Sequence, residues 1–209
     1  GTGAVIANDV FGGSLGQVGI AMSFGLVVMV VIYALGDTSG AHINPAVTLG
    51  FFVLKRLNLK DTFWYILSQC CGAVIATAFL FSVYPNHSTL GMTIPGVSVM
   101  ATFVYEYLLS FLLMLVILSV ATGAKEKGLM AGVAIGATVG LEALFAGPVT
   151  GASMNPARSL SPALFIGDFS HLWIYILAPI LGAISAVPAC KHLHIRGCCN
   201  FGADNVAAQ

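Results

Sequence analysis

The sequence predicts an all-α membrane protein built as an inverted repeat: a bundle of six transmembrane helices, the first largely missing, with two re-entrant half-helices. Three observations carry this. Hydrophobic residues make up 58% of the 209, charged residues 8%, and the mean hydropathy is +0.95, which leaves too little charge for the surface of a soluble domain. Five long, nearly uncharged runs are continuous rather than alternating, as helices and not barrel strands require. The segments Ser39-Gly40-Ala41-His42-Ile43-Asn44-Pro45-Ala46 and Thr150-Gly151-Ala152-Ser153-Met154-Asn155-Pro156-Ala157 repeat one pattern 111 positions apart.

Along the chain, residues Gly1 to Asn8 are read as the outer end of a first helix, which makes the 209 residues a fragment by expectation. The first full span is Gln17–Leu35. At Asn44-Pro45 a helix begins, because Asn caps orphan N–H groups and Pro at the first helical position loses no hydrogen bond. Its apolar stretch ends by Leu54, so at 1.5 Å per residue it crosses only about half of a hydrocarbon core of roughly 30 Å. The second span is Thr62–Val83, the third Val99–Thr122 and the fourth Leu129–Ala146. A second half-helix starts at Asn155-Pro156 and runs to Ile166, and Leu172–Ala189 is the fifth span. One domain over residues 1–195 is expected, with halves of about 1–84 and 99–195 and a tail of 196–209.

Lys55, Arg56, Lys60, Lys125, Lys127, Lys191 and Arg196 all fall on one side of this topology. The positive-inside rule marks that side as cytoplasmic, puts the C-terminus there and turns the 84–98 connection outward. Net charge is zero, and no basic stripe suggests nucleic acid. The odd set Cys70, Cys71, Cys190, Cys198 and Cys199 suggests apolar filler rather than a disulfide framework. Cys190, His192, His194, Cys198 and Cys199 match no zinc spacing, so neither metal nor cofactor is expected. Palmitoylation of Cys198 and Cys199 is a weaker reading.

The chemistry is expected at the two Asn-Pro-Ala sites, Asn44-Pro45-Ala46 and Asn155-Pro156-Ala157. If the half-helices meet end to end, each Asn uses its side-chain oxygen as a cap, and its amide NH₂ is left free to hold the oxygen of a passing water or alcohol. Two helix starts facing one point repel cations, hydronium included. Arg158, one turn past Asn155, is an intramembrane site residue, its guanidinium expected on carbonyls of the re-entrant loop. His42 is read as bonding within its loop, with lining the cytoplasmic mouth as the alternative. Glu106 is read as an acceptor for loop N–H groups. Glu142 has no role in this reading, and His87 and His171 fall in outer connections with nothing specific to do.

The doubled Asn-Pro-Ala, Arg158 after the second, the Ser/Thr-Gly-Ala lead-ins and Glu106 in the opening span of the second repeat resemble the aquaporin and glycerol-facilitator (major intrinsic protein) superfamily. The resemblance implies six tilted helices and two half-helices around one pore, a homotetramer with one pore per subunit, and a location in the cell membrane, bounded by lipid. Carried over by position, the family's aromatic/arginine constriction falls on Phe24, Ala143, Ala152 and Arg158. Strict water channels usually carry His where this chain has Ala143, which implies a wider filter. Ser159 and Ala163 depart from glycerol facilitators, and Tyr175-Ile176 is similar to nodulin-like intrinsic proteins and their bacterial relatives. The implied function is passive passage of water and small neutral solutes: glycerol, urea, ammonia, hydrogen peroxide or neutral metalloid acids. A water-selective pore and a secondary transporter with inverted repeats are the alternatives. No enzyme is indicated, since the chain offers no Ser-His-Asp, no HExxH and no intramembrane acid pair on one face.

Overall fold

The computed structural model describes residues 1–121 and 129–193. Lys125, Lys127, His194, Arg196, Cys198 and Cys199 lie outside these. The described residues hold eight helices, in order α1 (Thr2–Val10), α2 (Gly16–Ser39), α3 (Pro45–Val53), α4 (Leu59–Val83), α5 (Val99–Val120), α6 (Ala131–Thr150), α7 (Pro156–Ile166) and α8 (Leu172–His192). Of these, α2, α4, α5, α6 and α8 are long and apolar enough to cross a membrane. Among the described residues the regular elements are all helices, five of them candidate spans, with α3 and α7 as the half-helices.

Helix ends follow local chemistry. Both α2 and α6 run four residues further than expected and stop at Gly40 (φ 69°) and Gly151 (φ 86°), the left-handed caps that glycine favours. Pro148 lies inside α6 without ending it. A proline leaves the carbonyl four residues earlier without its donor. Gln17 Nε2 of α2 takes up the slack, donating to Ala143 O at 2.6 Å and Leu144 O at 3.4 Å. At the start of α4, Asn58 Oδ1 accepts from Asp61 N at 2.8 Å while its amide donates to Asp61 Oδ2 at 2.8 Å. That reciprocal cap starts the helix three residues earlier than the apolar run suggests.

The halves interlock in pairs: α2 packs along α6, and α5 along α8. Glycine sets the first crossing. A Cβ on Gly25 would lie 2.6 Å from Gly136 O, and one on Gly136 2.6 Å from Gly25 O, so the backbones touch where side chains would hold them apart. The half-helices fill the space between the pairs, α3 against α4 and α8, and α7 against α4 and α8. The counterpart of the α5–α8 pair would set α1 along α4, but α1 has only nine residues. Only 6% of the α4 span is buried, against 44% of α8. One correction concerns the cysteines: Cys190 is disulfide-bonded, whereas Cys70 and Cys71 are free. An odd total argues against a framework of bridges and has no bearing on a single one.

Candidate functional site

Each re-entrant segment turns by the same unusual backbone. Ala41 and Ile43 in the first, Ala152 and Met154 in the second, all have φ between 41° and 53°. Non-glycine residues rarely occupy this region, and for a β-branched Ile it is a true outlier. The strained turns bring the two caps together. Asn44 Oδ1 accepts from Ala46 N at 2.8 Å, and Asn155 Oδ1 from Ala157 N at 3.0 Å and Arg158 N at 3.4 Å. Across the junction Asn44 Nδ2 donates to Met154 O at 2.7 Å, and Asn155 Nδ2 donates to Ile43 O at 2.9 Å. Each amide is therefore committed to the partner segment with one hydrogen, and only the second hydrogen remains. This corrects the expectation of a free NH₂: the left-handed residues expose the very carbonyls that the opposing amides reach.

The two loops are braced differently. In the second repeat Glu106, fully buried on α5, accepts from Thr150 Oγ1 at 2.7 Å and Ser153 N at 2.9 Å through Oε1, and from Met154 N at 2.9 Å through Oε2. Tyr175 of α8 adds a bond from its hydroxyl to Thr150 O at 2.7 Å. In the first repeat the brace is Thr48, whose Oγ1 donates to Asn44 O at 3.0 Å, accepts from Gln69 Nε2 at 2.9 Å and meets His42 Nδ1 at 3.2 Å. His42 also stacks on Phe51 at 4.6 Å between centroids. Thr48 and Gln69 are not singled out from sequence, because a hydroxyl or amide in an apolar span carries no spacing signal; Thr150 and Tyr175 stand in motifs quoted above, but their bracing bonds are not legible there.

Arg158 projects from the first turn of α7. Its Nη1 donates to Gly91 O at 2.7 Å and its guanidinium lies 5.5 Å from the Phe24 ring centroid, while Nε is buried without a partner. The carbonyl that holds it belongs to the α4–α5 connection and not, as expected, to the re-entrant loop. That segment is tied down by Thr93 Oγ1 to Ser159 Oγ at 2.8 Å and by Gly96 N to Val149 O at 2.9 Å. A cavity of about 1250 Å³ runs past the junction, lined among others by Phe24, His42, Asn44, Asn155 and Arg158. Ala143 and Ala152, each 4% exposed, do not contribute to its lining. Glu142 is buried on α6 with neither carboxylate oxygen bonded.

Two half-helices meeting cap to cap within a bundle of long apolar helices, beside a cavity that carries an arginine, define a membrane protein of the inverted-repeat, broken-helix class. Within that class the chain belongs to the major intrinsic protein family, whose model matches residues 1–189. It is 45% identical over 188 residues to the putative aquaporin NIP4-1 of Arabidopsis thaliana, covering 88% of this chain and 66% of that protein. It is 41% identical over 186 residues to nodulin-26 of Glycine max, covering 88% and 69%. The chain thus spans about two thirds of the length of these relatives. Among solved structures it is similar to the aquaglyceroporin from Plasmodium falciparum, with a TM-score of 0.71, 25% identity, and coverage of 84% of this chain and 81% of that one.

Proposed function

We propose that the protein is a passive channel for water and small uncharged solutes, of the kind of glycerol, urea, ammonia, hydrogen peroxide or neutral metalloid acids, and that it excludes protons and other ions. The observation that carries this reading is the reciprocal bonding of Asn44 and Asn155 beside the cavity. It turns two helix N-termini, each worth roughly half a positive charge, toward one spot. A neutral solute meets the one remaining hydrogen of each amide; a cation meets two positive dipole ends and then Arg158. Exclusion by half-helix dipoles and an arginine is the established logic of aquaporin-type pores.

In this reading Phe24 and Arg158 bound the constriction, and Ala143 and Ala152, which stand at the other two filter positions without lining the cavity, narrow it little. That leaves the passage wide and poor in donors, which favours solutes larger than water. Glu106 serves its loop and not the permeant, whereas His42 both braces its loop and lines the cavity. One domain, 1–195 with a tail over 196–209, carries the activity in a homotetramer set in the cell membrane, each subunit with its own pore. A cytoplasmic C-terminus belongs to the same reading, supported by Lys55, Arg56, Lys60 and Lys191 through the positive-inside rule. The family's relatives are named as aquaporins, which supports transport over catalysis. No cofactor is required.

Stopped-flow light scattering on proteoliposomes tests this with a panel of glycerol, urea and a sugar too large for the filter. Fast, non-saturating glycerol and urea entry, independent of any ion gradient, is expected, with the sugar excluded. Saturable uptake driven by an ion gradient assigns the protein to the secondary transporters.

A further inference from the structure

Arg158 is held by one backbone carbonyl, that of Gly91, and the turn presenting it has its own lock. His87, with its side chain 8% exposed, accepts from Leu90 N at 3.0 Å and Thr89 N at 3.3 Å, both at Nδ1. An atom that accepts two N–H groups carries no proton, so the neutral ring bears its hydrogen on Nε2. That nitrogen lies 3.6 Å from Asp9 Oδ2, at the end of α1. Leu90 and Gly91 are both left-handed, at φ 47° and 68°, and Leu90 is fully buried. A non-glycine residue in that region stays there only while its surroundings impose it. The Nδ1 lock is part of what imposes it here, one residue from the carbonyl that fixes Arg158.

We propose that His87 is a pH-sensing positioning residue for Arg158, a role that rests on the channel reading above. Protonation adds a hydrogen at Nδ1, where Thr89 N and Leu90 N point theirs, and turns two acceptances into two repulsions. At the same time Asp9 gains a cationic partner on the other side of the ring. The lock is complete while the ring is neutral and is lost as pH falls. Once Leu90 relaxes, Gly91 O withdraws from Nη1, and a guanidinium whose Nε already lacks a partner turns into the lumen, where water solvates it. Permeation of neutral solutes then drops.

Other charged groups near this connection are Arg158 itself, the Gly1 amino group, which interacts electrostatically with Arg158, and, against Met92–Ile94, Asp168 and His171 of the α7–α8 connection. Asp168 takes bonds from the Ser170 hydroxyl at 2.6 Å and the Ser170 N–H at 2.9 Å. Those bonds hold its carboxyl below the usual range, so it stays ionised through mild acid. His171 is the rival imidazole against Met92–Ile94.

The test is glycerol permeability, a permeant neutral at every pH, with both faces of the vesicle buffered across the range where imidazoles titrate, from about pH 8 to about pH 5. The wild-type rate falls by about threefold or more on acidification. His87→Asn, whose Oδ1 stands in for Nδ1 and does not titrate, gives a flat profile at the high-pH rate. Asp9→Asn removes the carboxylate that favours the cation and shifts the midpoint of the permeability profile to lower pH. His171→Asn leaves the wild-type profile unchanged. Amide exchange of residues 89–91, corrected for intrinsic rates, loses protection in acid in the wild type and not in His87→Asn. That readout needs no transport, so absence of flux at every pH with intact exchange behaviour rejects the channel and keeps the lock. A wild-type profile that is flat, or one that His171→Asn abolishes, overturns the proposal. So does loss of protection that persists in His87→Asn; if that variant does not fold, an unshifted midpoint in Asp9→Asn does the same.

Discussion

Single residues carry the chemistry, and the sequence marked them unevenly. Asn44, Asn155 and Arg158 were legible because cap, proline and an intramembrane charge are rare in combination. Gly91 was not, because what it contributes is a carbonyl, which every residue has. Arg158→Val removes the charge at the constriction, and we expect neutral-solute flux to hold or rise while protons leak; voltage-clamped bilayers showing wild-type proton conductance would contradict the assigned role. Glu106→Leu strips one side-chain and two backbone donors of their acceptor. Hydrogen bonds to a charged group contribute about 1.5–3 kcal/mol each, so a large loss of thermal stability in detergent is expected. Glu142→Leu should act oppositely. Its carboxylate has no bonding partner, and replacing a buried polar group by an apolar one of similar size is often neutral or stabilising.

At the scale of elements, hydropathy located all five spans but misjudged several ends. Apolar runs mark where lipid is, whereas ends are set by caps: Gly40, Gly151 and the Asn58–Asp61 pair lie outside or at the rim of those runs. Pro148 does not stop α6, since Gln17 from a helix 126 positions away donates to the carbonyls before it. Close packing was equally hidden. Gly25 and Gly136 are ordinary glycines in sequence, yet their backbones meet. Gly136→Leu has to push α2 and α6 apart, because even a Cβ meets Gly25 O at 2.6 Å. We expect a variant that melts well below the wild type, measurable by thermal-shift assay in detergent. A melting point unchanged would mean that the α2–α6 crossing is looser than described.

The whole molecule is two halves that complete each other: each asparagine is satisfied by a carbonyl of the opposite half, so neither junction exists alone. The internal repeat revealed this architecture from sequence; what it hid was the unequal bracing, by a carboxylate in one half and by Thr48 and Gln69 in the other. Substituting Ala143 and Ala152 together by His and Cys narrows the assigned filter, and glycerol and urea permeability should fall far more than water permeability. Equal losses would put the constriction elsewhere. The central claim is that two helix starts meet to make a path open to neutral molecules and closed to protons. The most direct test is to record glycerol-driven swelling and the signal of a trapped pH dye in the same proteoliposomes, under an imposed proton gradient. The account predicts rapid swelling with no protein-dependent proton entry; proton entry that accompanies swelling, or no swelling at all, would contradict it.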